Sequence, residues 1–205
     1  MKKLLWALPF AAMVLCAGCT GKGSGAHARP ECLESATVMN ASGDDQEVSV
    51  KYRDDKINGE GLMITYKTFN FFAFKEDIPM YESAINKYKE WTVKAKESGM
   101  TDTKKEIILG KDRAFGYMFL DGQSAGMFET RFWFNVDSDG ETSLYVGSCV
   151  GVDLSADARR NMNTYIFYIV NEDSIDDYAQ LFSVDNYNKL KARAEAKQSR
   201  ADTLQ

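Results

Sequence analysis

Histidine is all but missing from this chain: His27 is the only one among 205 residues. It falls in a Gly-, Ser- and Ala-containing stretch, where a solvated linker residue is expected. That scarcity removes several chemistries at once. A Ser-His-acid hydrolase needs an imidazole base beside its nucleophile. A cysteine nucleophile needs similar help. A zinc centre needs several converging ligands, which a lone residue in a linker cannot supply. A glycine-rich phosphate loop between a strand and a helix is also missing. No motif calls for a cofactor. Positive charge is not in excess either: 25 Lys and Arg stand against 30 Asp and Glu, for a net charge of −5. An acidic chain repels phosphate backbones, so no nucleic-acid partner is expected. Long apolar runs are confined to the first residues, which leaves no candidate for a second membrane span.

The composition that remains is that of a folded protein, 44% hydrophobic and 27% charged. No Pro/Gly-rich linker divides the part after the leader, so one domain is expected. The leader begins with Lys2-Lys3 and continues as an apolar run from Leu4 to Leu15. That run is too short for a typical spanning helix and suits a signal peptide. It ends in Leu15-Cys16-Ala17-Gly18-Cys19.

The small residues Ala17 and Gly18 immediately before Cys19 resemble the lipobox of bacterial lipoproteins. The third position before the cysteine, usually Leu or another aliphatic, is Cys16 here. The resemblance covers the leader alone. It implies cleavage before Cys19, lipidation of its sulfur, and residence in a bacterial cell envelope, on the periplasmic or surface side, with the membrane as partner through the lipid. An ordinary cleaved secretory signal and an uncleaved anchor are the alternatives. The expected organisation is a signal peptide over 1–18, a flexible tether over 19–45 and a globular α+β domain over 46–205. The tether reading rests on Gly, Ser, Ala, Asp and Pro30.

Three strands are expected at the centre of the domain: Arg113–Leu120, Met127–Val136 and Thr142–Val152. In the middle one Phe128, Thr130, Phe132, Phe134 and Val136 alternate with Glu129, Arg131, Trp133 and Asn135. Alternation of this kind marks a half-buried strand. Asp-Gly pairs in the connections signal turns. Earlier strands are expected over Glu47–Arg53 and Gly61–Lys67, and a short one over Lys105–Leu109. The clearest helix is Pro79–Ser98, with Asp77 before it, Gly99 after it, and Tyr81, Ala84, Ile85, Tyr88, Trp91 and Ala95 at helical spacing. Ser155 could cap a helix over Ala156–Val170, although Thr164–Val170 is rich in strand formers. Ser174 and Val184 begin further helices. The fold class expected is α+β: an antiparallel meander sheet of five to seven strands, the long helix on one face, and C-terminal helices completing it.

Asn135-Val136-Asp137-Ser138-Asp139-Gly140 opens like a calcium loop, but the twelfth position would be Val146 rather than a bidentate acid. A hairpin turn is expected, with Asp137, Asp139 and Glu141 as a weak cation set at most; no metal is called for otherwise. With the leader and Cys19 set aside, Cys32 and Cys149 are the remaining thiols. In an exported protein two such cysteines usually pair, with a free thiol as the rival reading. A carboxylate pair at catalytic separation is always possible in a chain with so many acids.

The face of the central strands opposite the phenylalanines would carry Gly116, Glu129, Arg131, Trp133, Tyr145, Gly147, Cys149 and Gly151. Trp, Tyr and Arg favour binding surfaces, and strand glycines mark close approach by something else. That something is either a ligand or the C-terminal helices. The function expected is therefore a non-enzymatic binding module for an envelope protein or a glycan, with Glu129, Arg131, Trp133 and Tyr145 as the ligand face. A carboxylate-dependent glycan hydrolase and a purely structural envelope component are the alternatives.

Overall fold

The computed structural model describes residues 32–55, 59–109, 114–120, 123–151 and 163–203. The leader, Cys19, His27 and residues 152–162 lie outside them. Among the described residues the fold is α+β, with nine strands in one antiparallel sheet. In chain order these are β1 (Ser35–Met39), β2 (Asp45–Asp55), β3 (Gly59–Tyr66), β4 (Phe69–Phe74), β5 (Thr103–Glu106), β6 (Ala114–Leu120), β7 (Gln123–Val136), β8 (Thr142–Gly151) and β9 (Asn163–Asn171). Among the described residues three α-helices accompany them: α1 (Ile78–Ser98), α2 (Ile175–Leu181) and α3 (Val184–Asp202).

The sheet is a meander that closes on itself. Its order is β5-β7-β6-β4-β3-β2-β1-β9-β8, and β8 pairs back onto β7. With β5 set aside as a short branch on β7, eight strands form a ring. Closure hides the edges that an open meander would expose. The last joint is narrow: β1 meets β9 at Met39 and Ile169. Closure also accounts for two departures from the sequence reading. Residues 163–170 are strand rather than helix, because the ring needs β9 between β8 and β1, and Thr, Tyr, Ile, Phe and Val suit that place. Residues 35–39, assigned above to the tether, are strand β1, with Ala36 and Val38 buried on alternate positions. The folded body therefore reaches back at least to Cys32. The short strand near residue 105 lies two residues earlier than expected, though the Ile107 N–H still donates to the Phe132 carbonyl at 2.9 Å.

Inside the ring lie Val48 and Val50 of β2, Leu62 and Ile64 of β3, the phenylalanines of β7, and Leu144 and Val146 of β8, all at most 3% exposed. The helices pack against this interior face. Helix α1 places Tyr81 against Phe132 at 5.4 Å and Tyr88 against Phe134 at 5.8 Å between ring centroids. Helix α2 places Tyr178 at 6.0 Å from Tyr168 of β9. Helix α3 follows with Tyr187 at 5.9 Å from Tyr52 of β2. Between them the helices touch β1, β2, β7, β8 and β9, so they cover the ring on its interior side.

Local chemistry fixes where the helices begin and end. Pro79 occupies the first turn of α1, where a missing N–H costs nothing. Gly99 stops the helix in the left-handed region at φ 62°, its N–H turned back to the carbonyls of Ala95 and Lys96. Ser183 caps α3 by accepting the Asn186 N–H at 3.0 Å. The Asn186 side chain is 2% exposed and fully used. Its Oδ1 accepts the Leu33 N–H at 2.9 Å, and its Nδ2 donates to the carbonyls of Leu33 at 2.8 Å and Leu181 at 3.0 Å. It thus pins the chain leading into β1 onto the helical layer.

Glu60 makes a second tie at the start of β3. It accepts from Lys191 Nζ at 2.6 Å and from the Tyr187 hydroxyl at 3.2 Å, with Lys75 at 3.6 Å. The hydrogen bond from Lys191, more than any other influence, holds its carboxyl below the ordinary value of 4.5. A carboxyl depressed in the folded state stabilises the fold above its unfolded pKa, and that contribution disappears as pH falls through the folded value. Melting temperatures of the wild type and of Glu60→Gln should therefore differ at neutral pH and converge as pH falls below the ordinary carboxylate range. A gap that stays constant across that range would contradict this role for Glu60.

Candidate functional site

The outer face of β7 and β8 carries the residues that sequence reasoning proposed as a ligand face. Cross-strand register puts Trp133 opposite Tyr145, Arg131 opposite Gly147 and Glu129 opposite Cys149. On the other side of β7, Glu106 of β5 lies opposite Trp133. Residues directly opposite in an antiparallel pair project from the same face, so Glu106, Trp133 and Tyr145 form one row across three strands. Arg131 lies between two acids: its Nη1 is 3.7 Å from Glu106 and its Nε 3.4 Å from Glu129. Glu129 is 6% exposed, and an ionised carboxylate buried to that degree needs such a partner. Lys104 extends the row, with its ammonium 4.5 Å from the centre of the Tyr145 ring, within cation–π range. The Arg131, Trp133 and Tyr145 side chains are each partly exposed.

Among the described residues, α1 and α2 are bonded to the other face of the sheet: Tyr81 with Thr130, Tyr88 and Thr92 with Thr142, Tyr178 with Tyr168. Helices α2 and α3 thus do not fold over the Trp/Tyr/Arg face, while residues 152–162, where part of the expected C-terminal helix falls, lie outside the described residues. Tyr178, Phe182, Tyr187 and Leu190 are apolar surfaces seeking apolar partners, and the ring interior provides them.

One member of the expected face belongs elsewhere. Gly116 lies directly opposite Phe128, so it shares the interior face with the phenylalanines. A second expectation also fails at the structure: Cys32 is a free thiol. It sits beside α3, with Arg193 Nη1 3.4 Å from its Sγ, in a segment that Asn186 holds there. Cys149 belongs to β8, between β7 and β9, and its side chain lies outside the described part.

The Asp137 stretch is a hairpin turn. The Asp137 carboxylate accepts the N–H groups of Asp139 and Glu141, both at 2.9 Å, and Gly140 supplies the positive φ of 83°. One oxygen of Asp137, Oδ1, is thus engaged by the backbone of its own turn. Among the described residues no three His, Cys, Asp or Glu side chains converge to hold a metal.

Sequence reasoning missed the buried hydroxyls. Tyr81 bonds Thr130 at 3.0 Å, and Tyr168 bonds Tyr178 at 2.9 Å. Thr142 gathers Tyr88 at 3.0 Å, Thr92 at 3.1 Å and Glu172 at 3.2 Å, while Lys96 bonds Glu172 from α1. Burial pushes the Tyr81, Tyr168 and Tyr178 phenols well above their ordinary pKa, so they stay neutral donors and acceptors. The tyrosines had been readable as helix-core positions, but their partners come from remote strands.

The fold is thus an α+β closed sheet with its helices packed over the interior side by one face each and an aromatic-cationic row on the outer side. No family model, no curated protein and no solved structure matches the chain. No helix among the described residues is long and apolar enough to cross a membrane.

Proposed function

We propose that this chain is an envelope lipoprotein, held to a bacterial membrane by a lipid on Cys19, that captures a partner on the outer face of β7 and β8. The observation that carries this reading is the row of Trp133, Tyr145 and Arg131, partly exposed, and Lys104, exposed. Aromatic side chains and arginine dominate the energetics of protein interfaces, which favours a protein partner over a glycan. The row is also stiff. Trp133 and Tyr145 stand on paired strands of a closed barrel, and Arg131 is braced by Glu106 and Glu129, so little ordering entropy is spent on docking.

A hydrolytic role would need two acids facing each other across a cleft. Glu106 and Glu129 instead share Arg131 on the outer sheet face. The binding reading is therefore preferred.

Cross-linked pull-down from solubilised envelopes, alongside a glycan array, tests it. Wild-type protein should capture a discrete partner, and Trp133→Ala should weaken that capture by about 30-fold or more, the loss expected of a central aromatic anchor. A partner profile unchanged by Trp133→Ala would remove this face from consideration. Retention on the array alone would make the partner a glycan.

A further inference from the structure

Among the described residues strand β5 has a neighbour on one side only: it pairs with β7, and no strand lies beyond it. The Ile107 N–H donates to the Phe132 carbonyl at 2.9 Å, which fixes the parity of this pairing. Successive residues of a strand aim their backbone groups to alternate sides. The groups of Thr103, Lys105 and Ile107 therefore face β7, and those of Lys104 and Glu106 face away from it. Backbone donors and acceptors thus stand in line on a strand edge, the arrangement that accepts an added strand.

The side chains on this edge carry charge that the protein does not neutralise. Lys104 and Lys105 are both exposed, and among the described residues neither is in an ion pair with a carboxylate. Each ammonium rests on a ring instead. Lys104 lies opposite Asn135, on the outer face, and its ammonium is 4.5 Å from the centre of the Tyr145 ring. Lys105 lies opposite the interior Phe134, on the helix face, and its ammonium is 4.7 Å from the centre of the Trp91 ring. Lysines on an edge strand ordinarily guard it against further pairing. Here both lean inward over the sheet. Tyr145 belongs to β8, two strands in from the edge, and Trp91 packs on Phe134 of β7 at 5.7 Å. One cation is thus drawn above the sheet and the other below it, and a strand that docks on β5 meets one on each of its faces.

We propose that β5 captures the partner as an added strand, and that the captured segment is an extended stretch with two successive acidic residues. This docking mode rests on the outer-face reading for the existence of a partner, and adds which part of that partner binds. Neighbouring residues of a strand point to opposite faces. One acid therefore meets Lys104 on the outer face, and the next meets Lys105 on the helix face. The position facing Glu106 takes an uncharged or basic side chain, because like charges directly opposite each other destabilise a pair. The added strand extends the row of Tyr145, Trp133 and Glu106 by one place. The same partner is then held by its backbone at β5 and by side chains along the row. The β5 strand of a second copy would answer two lysines with Glu106 alone, which favours a foreign segment.

Fluorescence anisotropy of labelled octapeptides with the purified full-length protein tests this. The probe is Thr-Val-Thr-Glu-Glu-Thr-Val-Thr, and the control carries Lys-Lys in place of Glu-Glu. The acidic peptide should bind saturably and the lysine peptide should not. Replacing both cations, Lys104→Gln with Lys105→Gln, should weaken the acidic peptide about fivefold or more, the loss of two exposed charge pairs. Two further versions of the probe carry N-methyl groups on alternate residues, one on the odd positions and one on the even. N-methylation removes the donors along one edge of a strand, so one version should lose binding and the other keep it. No saturation, equal binding of the lysine peptide, an affinity unmoved by the double glutamine variant, or N-methyl versions that behave alike would each overturn the proposal. So would a dimer of the free protein, seen by sedimentation velocity, that Lys104→Pro disperses by deleting an outward N–H; the occupant would then be a second copy. Envelope capture separates the two readings. Capture that depends on Trp133 without peptide binding sinks the β5 site and leaves the outer face standing. Peptide binding with capture indifferent to Trp133→Ala does the reverse.

Discussion

Phe182→Ala should lower the unfolding free energy by about 3–5 kcal/mol, the range for deleting a fully buried phenylalanine. Phe182 is 0% exposed. Its ring stacks on Tyr81 of α1 at 4.8 Å with planes 8° apart, and leans on Tyr178 of α2 at 4.7 Å. It follows α2 directly and precedes the Ser183 cap of α3. One ring thus touches α1 and α2 at the point where α3 departs. Both of its aromatic partners are hydrogen-bonded onward to the barrel, Tyr81 to Thr130 and Tyr178 to Tyr168. Alanine would leave a void that none of these tethered rings can collapse into, which places the cost toward the upper end. Equilibrium urea unfolding measures it, with the m-value expected to stay near that of the wild type. A loss below about 1 kcal/mol would mean that the helices do not pack on the barrel interior as described.

Gly116→Ala should cost about 3 kcal/mol or more, far beyond the usual effect of adding one methyl. A Cβ at Gly116 would lie 2.2 Å from the Phe72 carbonyl oxygen and 2.7 Å from two carbons of the Phe128 ring. The ring could turn aside, but the carbonyl belongs to β4, which pairs with β6 through Ala73 and Gly116. Relief requires parting two strands of a closed ring. Gly99→Ala provides the comparison: it strains a left-handed residue at φ 62° but meets nothing within 4 Å, so about 1 kcal/mol is expected. Thermal unfolding of the two variants side by side would show the ranking. Equal losses would contradict the β4–β6 register.

These two residues also show how far the sequence could be read. The alternation in β7 and β8, the turn at Asp137 and the long helix α1 were legible because each is set by local periodicity or local capping. The adjacency of Trp133, Tyr145 and Arg131 followed from the same hairpin. Barrel closure was not legible, since period 2 says which face is buried and nothing about whether a sheet meets itself. Residues 163–170 were read as helix although Thr164–Val170 is rich in strand formers: composition and helical spacing conflicted there, and the ring decides for strand. In β6 the alternation of aromatic and small residues pointed to the aromatics as the core. Register reverses this, because the barrel needs a residue without a side chain opposite Phe128. Lys104 and Glu106 join the outer row through the pairing of β5 with β7, and Tyr66 meets Tyr168 across the barrel. Contacts between segments so distant in sequence leave no trace in local pattern.

The outer face can be examined where the protein works. Hydroxyl-radical footprinting of the purified protein and of the same protein in intact envelopes reports side chain by side chain. Trp133 and Tyr145 should be oxidised in the purified protein and protected in the envelope, while the fully buried Tyr88 and Tyr178 stay unmodified in both. Equal oxidation of Trp133 in the two preparations would contradict partner capture on this face.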